Sequence, residues 1–458
     1  MKLSVDSLLG KRIAALSAPV MLAMISQTLI NQVDHALIGR LPAEDSIPGQ
    51  AALFPALVIM WAIGGSLSAI SVGTQALTAR RAGEESHDRA GQVMWNSLIV
   101  AAITSAIGSA AGWVAAPKLM RLMTQNENEL RLGVPYLQWR MVGVFSMVTT
   151  ISYKSWFDGL GRTRVHMGAA IAMNLINFVL NVVLVFGWWK FPAWGVTGSA
   201  IASAIASYIG LFIMIGWSLR GQYRTTYHNY RLSNISRKQQ WELVRLSAPS
   251  ALATIFVMSG FGLFKAIVAR LDVQAHHVEP IYGAATWNVI VILMLFFTAF
   301  MAYGTATATL VGQSLGAKKA DLAERYGWEA VKLGVYFAIV VGGLIALFPD
   351  KVLAVLSKNA VVIDNARPIL RICGAMLPFV LSGIVLTQAL FGAGNTTFVM
   401  VVEFILHFFC LVPLAWLCGI TLNWGVIGVW MGVFVYVFGL CVIMGWKFAE
   451  GRWKEIRI

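Results

Sequence analysis

The chain has 458 residues, of which 58% are hydrophobic and 12% charged. A soluble globular domain carries roughly a quarter charged residues, whereas here the charges fall in short clusters between apolar runs of about twenty residues, the length that crosses a bilayer. The formal net charge of +14 lies between those runs, the pattern that orients membrane helices, so the composition excludes an ordinary soluble enzyme and argues against a nucleic-acid binder.

Lys11 and Arg12 precede the first apolar run, and no small-residue cleavage site closes it, so the first span is expected to stay attached and act as its own insertion signal. Apolar windows predict spans at 14–38, 51–78, 91–115, 133–156, 165–188 and 194–218, then at 247–270, 282–312, 328–348, 371–391, 396–419 and 424–446. Twelve spans put both termini on one side. With the termini inside, the inner segments hold 21 Lys and Arg and the outer segments ten, so both termini are expected in the cytoplasm. The longest polar connection, near Arg220 to Arg245, predicts a cytoplasmic linker (221–246) between an N-terminal lobe (1–220) and a C-terminal lobe (247–458). Cys373, Cys410, Cys418 and Cys441 all fall in apolar segments and read as small hydrophobes, not as a disulfide framework.

The two halves repeat each other. Leu16-Ser17-Ala18-Pro19 recurs as Leu246-Ser247-Ala248-Pro249, and Trp194-Gly195-Val196-Thr197-Gly198 as Trp424-Gly425-Val426-Ile427-Gly428, both shifted by 230 positions. A shift of 233 pairs Gly83 and Asp88 with Gly316 and Asp321, Trp95 with Trp328, and Gly159-Leu160-Gly161 with Gly392-Ala393-Gly394. An even number of spans per half gives both halves one orientation. The expected fold is therefore all-α, with twelve transmembrane helices in two six-helix lobes related by a parallel internal repeat, an arrangement found in transporters that rock around a central site.

The stretch from Gln27 through Asp34 to Gly39-Arg40-Leu41 resembles the first span of the multidrug and toxic compound extrusion (MATE) family. Gly159-Leu160-Gly161-Arg162-Thr163-Arg164 and Gly392-Ala393-Gly394-Asn395-Thr396-Thr397 resemble its glycine turns after spans four and ten. Val311-Gly312-Gln313-Ser314-Leu315-Gly316 resembles the turn after span eight, and Asn177 to Asn181 with Phe186-Gly187 resembles the fifth span. The resemblance covers essentially the whole chain. It implies a two-lobed bundle of twelve helices that exports small amphipathic compounds in exchange for H⁺ or Na⁺. A cationic substrate and a functional monomer are expected besides, and the short loops suit a bacterial inner membrane.

Asp34 and Glu403 are the acidic residues well inside the predicted spans, with Asp158 near the inner end of the fourth. A charge at the bilayer centre costs about 2.5–3.5 kcal/mol on insertion scales, so such a group is a functional candidate by default. Burial favours the neutral carboxyl, and donated hydrogen bonds or a cation favour the charged one, so Asp34 can load and unload. The alternative is a structural aspartate, held by neighbouring helices or reaching the outer headgroups before Arg40. Asn177 and Asn181, four apart, share one helix face. At about 1.5 Å of rise per residue, they lie at a depth similar to Asp34 and Ser203, so these residues and Tyr136 are expected to surround Asp34 with neutral oxygens. In the resembled family the matching Asn and the Asp or Asn four residues later belong to a proton or cation site. Ser203 falls where that family has a Thr, and Tyr136 is placed by approximate spacing. Asn181 stands where some members carry Asp, which removes one charge. The asparagines can equally serve interhelical bonding without transport.

Pro19, fifteen residues before Asp34, can bend the first span, and the resemblance suggests a bend that responds to protonation; a purely architectural kink is equally consistent. Sodium-driven members carry acids in spans seven and ten, and this chain has none in 251–267 or 377–390, so protons are favoured over sodium. Glu403 and His407, four apart in span eleven, form a candidate second proton site or a stabilising pair. Lys265 is expected to snorkel outward, Lys154 and Asp158 to form an inner-surface ion pair, and His276-His277-Val278-Glu279 to be a loop and not a metal site. No catalytic residues, metal ligands or cofactor are expected. The competing readings are a lipid-linked saccharide flippase, whose anionic substrate would call on Lys265 and Arg140, a passive channel, and an intramembrane enzyme. The last is disfavoured because no His-Glu-x-x-His or Gly-x-Ser-x-Gly motif is present.

Overall fold

The computed structural model describes residues 5–188, 191–276 and 280–458, so His277 and Glu279 lie outside the described residues. The long helices are α1 Ser7–Ile38, α2 Glu44–Gly83, α3 His87–Met123, α4 Glu127–Gly159, α5 Thr163–Phe186, α6 Gly195–Ser218, α7 Arg237–Gln274, α8 Ile281–Gly316, α9 Ala320–Leu347, α10 Ala360–Ala393, α11 Thr396–Thr421 and α12 Gly425–Glu450. Among the described residues, eleven of these are long and apolar enough to cross a membrane. The remaining helix, α4, is 33 residues long but carries Arg140, Lys154 and Asp158 along its length. This is a multi-pass, all-α membrane protein. Only helices and closed barrels satisfy every backbone group inside hydrocarbon, so each apolar run closes its own hydrogen bonds. The helices overrun the predicted spans, α7 by ten residues at its start, because backbone bonding continues into charged turns where hydropathy stops.

Contacts divide the chain into two compact units, Pro19–Ala251 and Leu252–Arg457, the latter joined by Met1–Ala18. These differ from the boundaries expected from the polar connection. Both changeovers fall inside continuous helices, and both lie within three residues of a repeated proline, Pro19 in α1 and Pro249 in α7. A proline removes a backbone donor, so each helix is weakened where it passes from one unit to the other.

The segment 221–246 is not a free linker. It forms a short helix, Gly221–Tyr227, a turn at Leu232–Asn234, and then the start of α7. Tyr223 and Tyr227 set their rings 6.1 and 5.2 Å from Trp156, and Tyr230 meets the Tyr153 hydroxyl at 3.0 Å. Asn96 donates to the Asn234 carbonyl at 2.8 Å and accepts from the Ser236 amide at 2.9 Å. The tyrosines explain the docking, since each buries a large apolar ring and keeps a polar end for a partner. The core beside them is built by Met94, Leu98, Phe157, Leu211 and Met214.

The internal repeat reappears in the helix ends. Asn126 and Asn359 each cap a helix by accepting two backbone amides, and Gly161 and Gly394 both turn the chain with positive φ, 74° and 89°. Two helices widen into π turns. One does so over Trp61–Gly65 in α2, and α11 does so over Leu406–Leu411 and Leu417–Thr421, on either side of Pro413.

Candidate functional site

Asp34 sits in the last turns of α1, half-buried, with α5 and α6 beside it. The Asn181 amide donates to its Oδ1 at 3.0 Å, and the Ser203 hydroxyl donates to its Oδ2 at 3.4 Å. Asn177 completes the network, donating to Ser203 Oγ at 3.2 Å and accepting from Asn181 Nδ2 at 3.1 Å. Asn177, Asn181 and Ser203 are all buried. The i, i+4 spacing places both asparagines on one face, and the small residues Gly198, Ser199 and Ala202 open α6 toward its neighbours. One carboxylate is thus held by neutral donors, and the carbonyl oxygen of Asn181 is left buried without a hydrogen-bond partner. The set thus combines a titratable acid with a spare acceptor.

Tyr136 is not joined to this network by a hydrogen bond. It packs in the apolar cluster of Ile38, Leu53 and Val196, although Asp34 and Arg140 both act electrostatically on its phenol. Approximate spacing placed it at the right depth but not at the right angle around α4. Asn174 makes a separate tie between α5 and α1 that the sequence reading missed, donating to Ser26 Oγ of α1 at 2.8 Å. Its signal was present, since 174, 177 and 181 follow one helical stripe.

Glu403 and His407 do meet, with Nδ1 3.4 Å from Oε2, and Tyr436 of α12 donates to the same Oε2 at 3.1 Å. No motif pointed to Tyr436. Lys154 and Asp158 pair at 2.9 Å, as expected, with Asp158 buried and Lys154 partly exposed. The Lys265 ammonium stands over the Trp287 ring at 5.3 Å, and Arg140 contacts Met60 Sδ at 3.2 Å; the two cations belong to different compact units. All four cysteines are free. Among the described residues, no three His, Cys, Asp or Glu side chains gather as metal ligands.

The family model described as MatE matches residues 19–183 and 249–417. A probable multidrug resistance protein NorM of Thermotoga maritima is 23% identical over 97% of this chain and 93% of its own length. A solved MOP superfamily transporter from Pyrococcus furiosus shares the fold with a TM-score of 0.86 at 21% identity, covering 97% of this chain and 95% of that one. An outward-facing multidrug resistance MATE family transporter aligns with a TM-score of 0.85 at 21% identity, over 97% of both chains. With a family pattern that spans both halves and a fold shared over nearly the full length, this chain belongs to the MatE family, the multidrug and toxic compound extrusion transporters.

Proposed function

We propose that this protein is a secondary active exporter that moves small amphipathic, cationic compounds outward against an inward flow of H⁺ by alternating access. It crosses a bacterial inner membrane twelve times, in two six-helix lobes related by a parallel repeat, with both termini in the cytoplasm, and it works as a monomer without cofactor or catalytic step. The observation that carries this reading is the Asp34 carboxylate held by Asn181 and Ser203.

Ionised Asp34 accepts from both donors and so ties α1 to α5 and α6. A proton turns one carboxyl oxygen into a donor. It then competes with the Asn181 amide, and the tie between α1 and α5 must rearrange. Ion occupancy therefore changes which packing of α1 is favoured, as coupling requires, because an ion shifts an equilibrium only through unequal affinity for its two states. A single carboxylate with neutral oxygens favours H⁺ over Na⁺.

The test is dye accumulation by inside-out proteoliposomes holding the purified chain, with proton and sodium gradients imposed separately. Proton-driven uptake of a fluorescent cationic dye supports the reading, and absence of uptake under both gradients overturns it. Asn181→Asp should move the balance between ions. A second carboxylate beside Asp34 raises the negative charge facing a cation, so sodium-driven initial rates are expected to rise several-fold over the parent chain; unchanged rates would remove Asn181 from ion selection.

A further inference from the structure

A second ionisable cluster lies within the unit that contains Leu252–Arg457. His407 is fully buried at the start of a π turn in α11, a distortion that occurs often at functional sites. Its Nδ1 is 2.9 Å from the backbone oxygen of Glu403. A carbonyl oxygen can only accept, so Nδ1 carries the hydrogen and the neutral ring presents a bare lone pair at Nε2. That nitrogen is buried and has no hydrogen-bond partner.

The surroundings leave the pair electrically alone. From α12, Tyr436 donates to Glu403 Oε2 and lays its ring 4.5 Å from the imidazole. From α7 come Phe261, with its ring 5.7 Å away, and Gly260, where an added Cβ would fall 2.5 Å from the imidazole Cδ2. The glycine thus admits the ring against the helix backbone. On α11 itself the next titratable group is Cys410. Lys265, further along α7, is turned onto Trp287, and among the described residues no lysine or arginine approaches the pair.

We propose that Glu403 and His407 form a proton-binding site of the C-terminal unit, separate from Asp34, with Tyr436 as its positioning residue. With an ionised carboxylate and a neutral imidazole the cluster carries one net negative charge inside apolar packing; with one added proton it is neutral. The proton comes from water and neutralises the pair, forming an O–H bond at Glu403 or an N–H bond at Nε2 of His407, whose Nδ1 lies 3.4 Å from Oε2; release reverses this and breaks no other bond. The role rests on the exporter reading, in which this site would carry a second proton per cycle, but proton binding is measured without transport.

The experiment counts protons taken up by detergent-solubilised protein between about pH 8 and about pH 5, the range of imidazole titration, using a pH-indicating dye. Asp34→Asn serves as background, so that the first site is silent. Adding Glu403→Gln removes the net charge and should reduce uptake by about one proton per chain, and adding Tyr436→Phe should displace the pH of that step. Both substitutions preserve side-chain volume, so a folded variant is available even where His407→Gln fails to fold. Equal uptake and an unmoved transition in both variants overturn the proposal. Failure of gradient-driven dye uptake would strike the exporter reading alone.

Discussion

Asp34→Asn is expected to reduce proton-driven dye accumulation to the level of protein-free vesicles. Asparagine has the shape of aspartate and can keep its oxygen toward Asn181 Nδ2, which now donates to Oδ1 at 3.0 Å. What it loses is the charge and the ability to bind H⁺. The rearrangement of α1 then has no proton to drive it, and an antiporter whose ion has no differential affinity for the two states moves nothing. The same variant should melt within about 1 kcal/mol of the parent, because a neutral hydrogen bond of the same geometry replaces a charge-assisted one. Ser203→Ala, which removes both the 3.4 Å contact to Asp34 and the acceptor of the Asn177 amide, should slow transport without abolishing it. Normal accumulation by Asp34→Asn would place coupling elsewhere, with the α11 cluster the next site to examine.

Gly91→Val is expected to destabilise the N-terminal unit by about 1–3 kcal/mol, the cost of forcing extra volume into a packed interior. A Cβ at position 91 would meet the backbone carbonyl of Tyr227, with the carbonyl carbon only 2.9 Å away. Backbone atoms cannot swing aside as a side chain can. The linker would have to lift, separating Tyr223 and Tyr227 from Trp156, whose indole donates to the Ala90 carbonyl at 2.9 Å one residue from the substitution. A lowered midpoint of tryptophan fluorescence during thermal unfolding, with faster protease cleavage near Gly221–Tyr227, would report it. An unchanged midpoint would mean that the linker is held by something other than this approach.

The membrane spans were legible because insertion is decided locally. Twenty apolar residues must close their own hydrogen bonds wherever they lie, so each predicted span has its helix, and the repeat shift of 233 reappears in the caps Asn126 and Asn359. That Asp34 falls in the last turns of the first helix was legible for the same reason, since α1 runs unbroken to Ile38. Asn177, Asn181 and Ser203 followed from depth and spacing together, with the family resemblance narrowing which helices to compare.

Azimuth was not legible in the same way. Hydropathy reports how far along a helix a residue lies, not which neighbour its face meets, so Tyr136 was placed in the carboxylate's network yet packs among Ile38, Leu53 and Val196. Tyr436 bonds Glu403 across 33 positions of chain and belongs to no motif. The segment after Arg220 looked like a linker because it is polar, and its three tyrosines lie on the α3 and α4 side chains only once those helices exist as a surface. The amino-acid sequence by itself determined the long apolar helices, the repeated motifs, the family and the place of Asp34 along α1, since these depend on local hydrogen bonding and on order along the chain. Tertiary structure alone decided which donors face Asp34, that Glu403 meets both His407 and Tyr436, and that the units change over beside Pro19 and Pro249, because those outcomes depend on how helices distant in sequence pack.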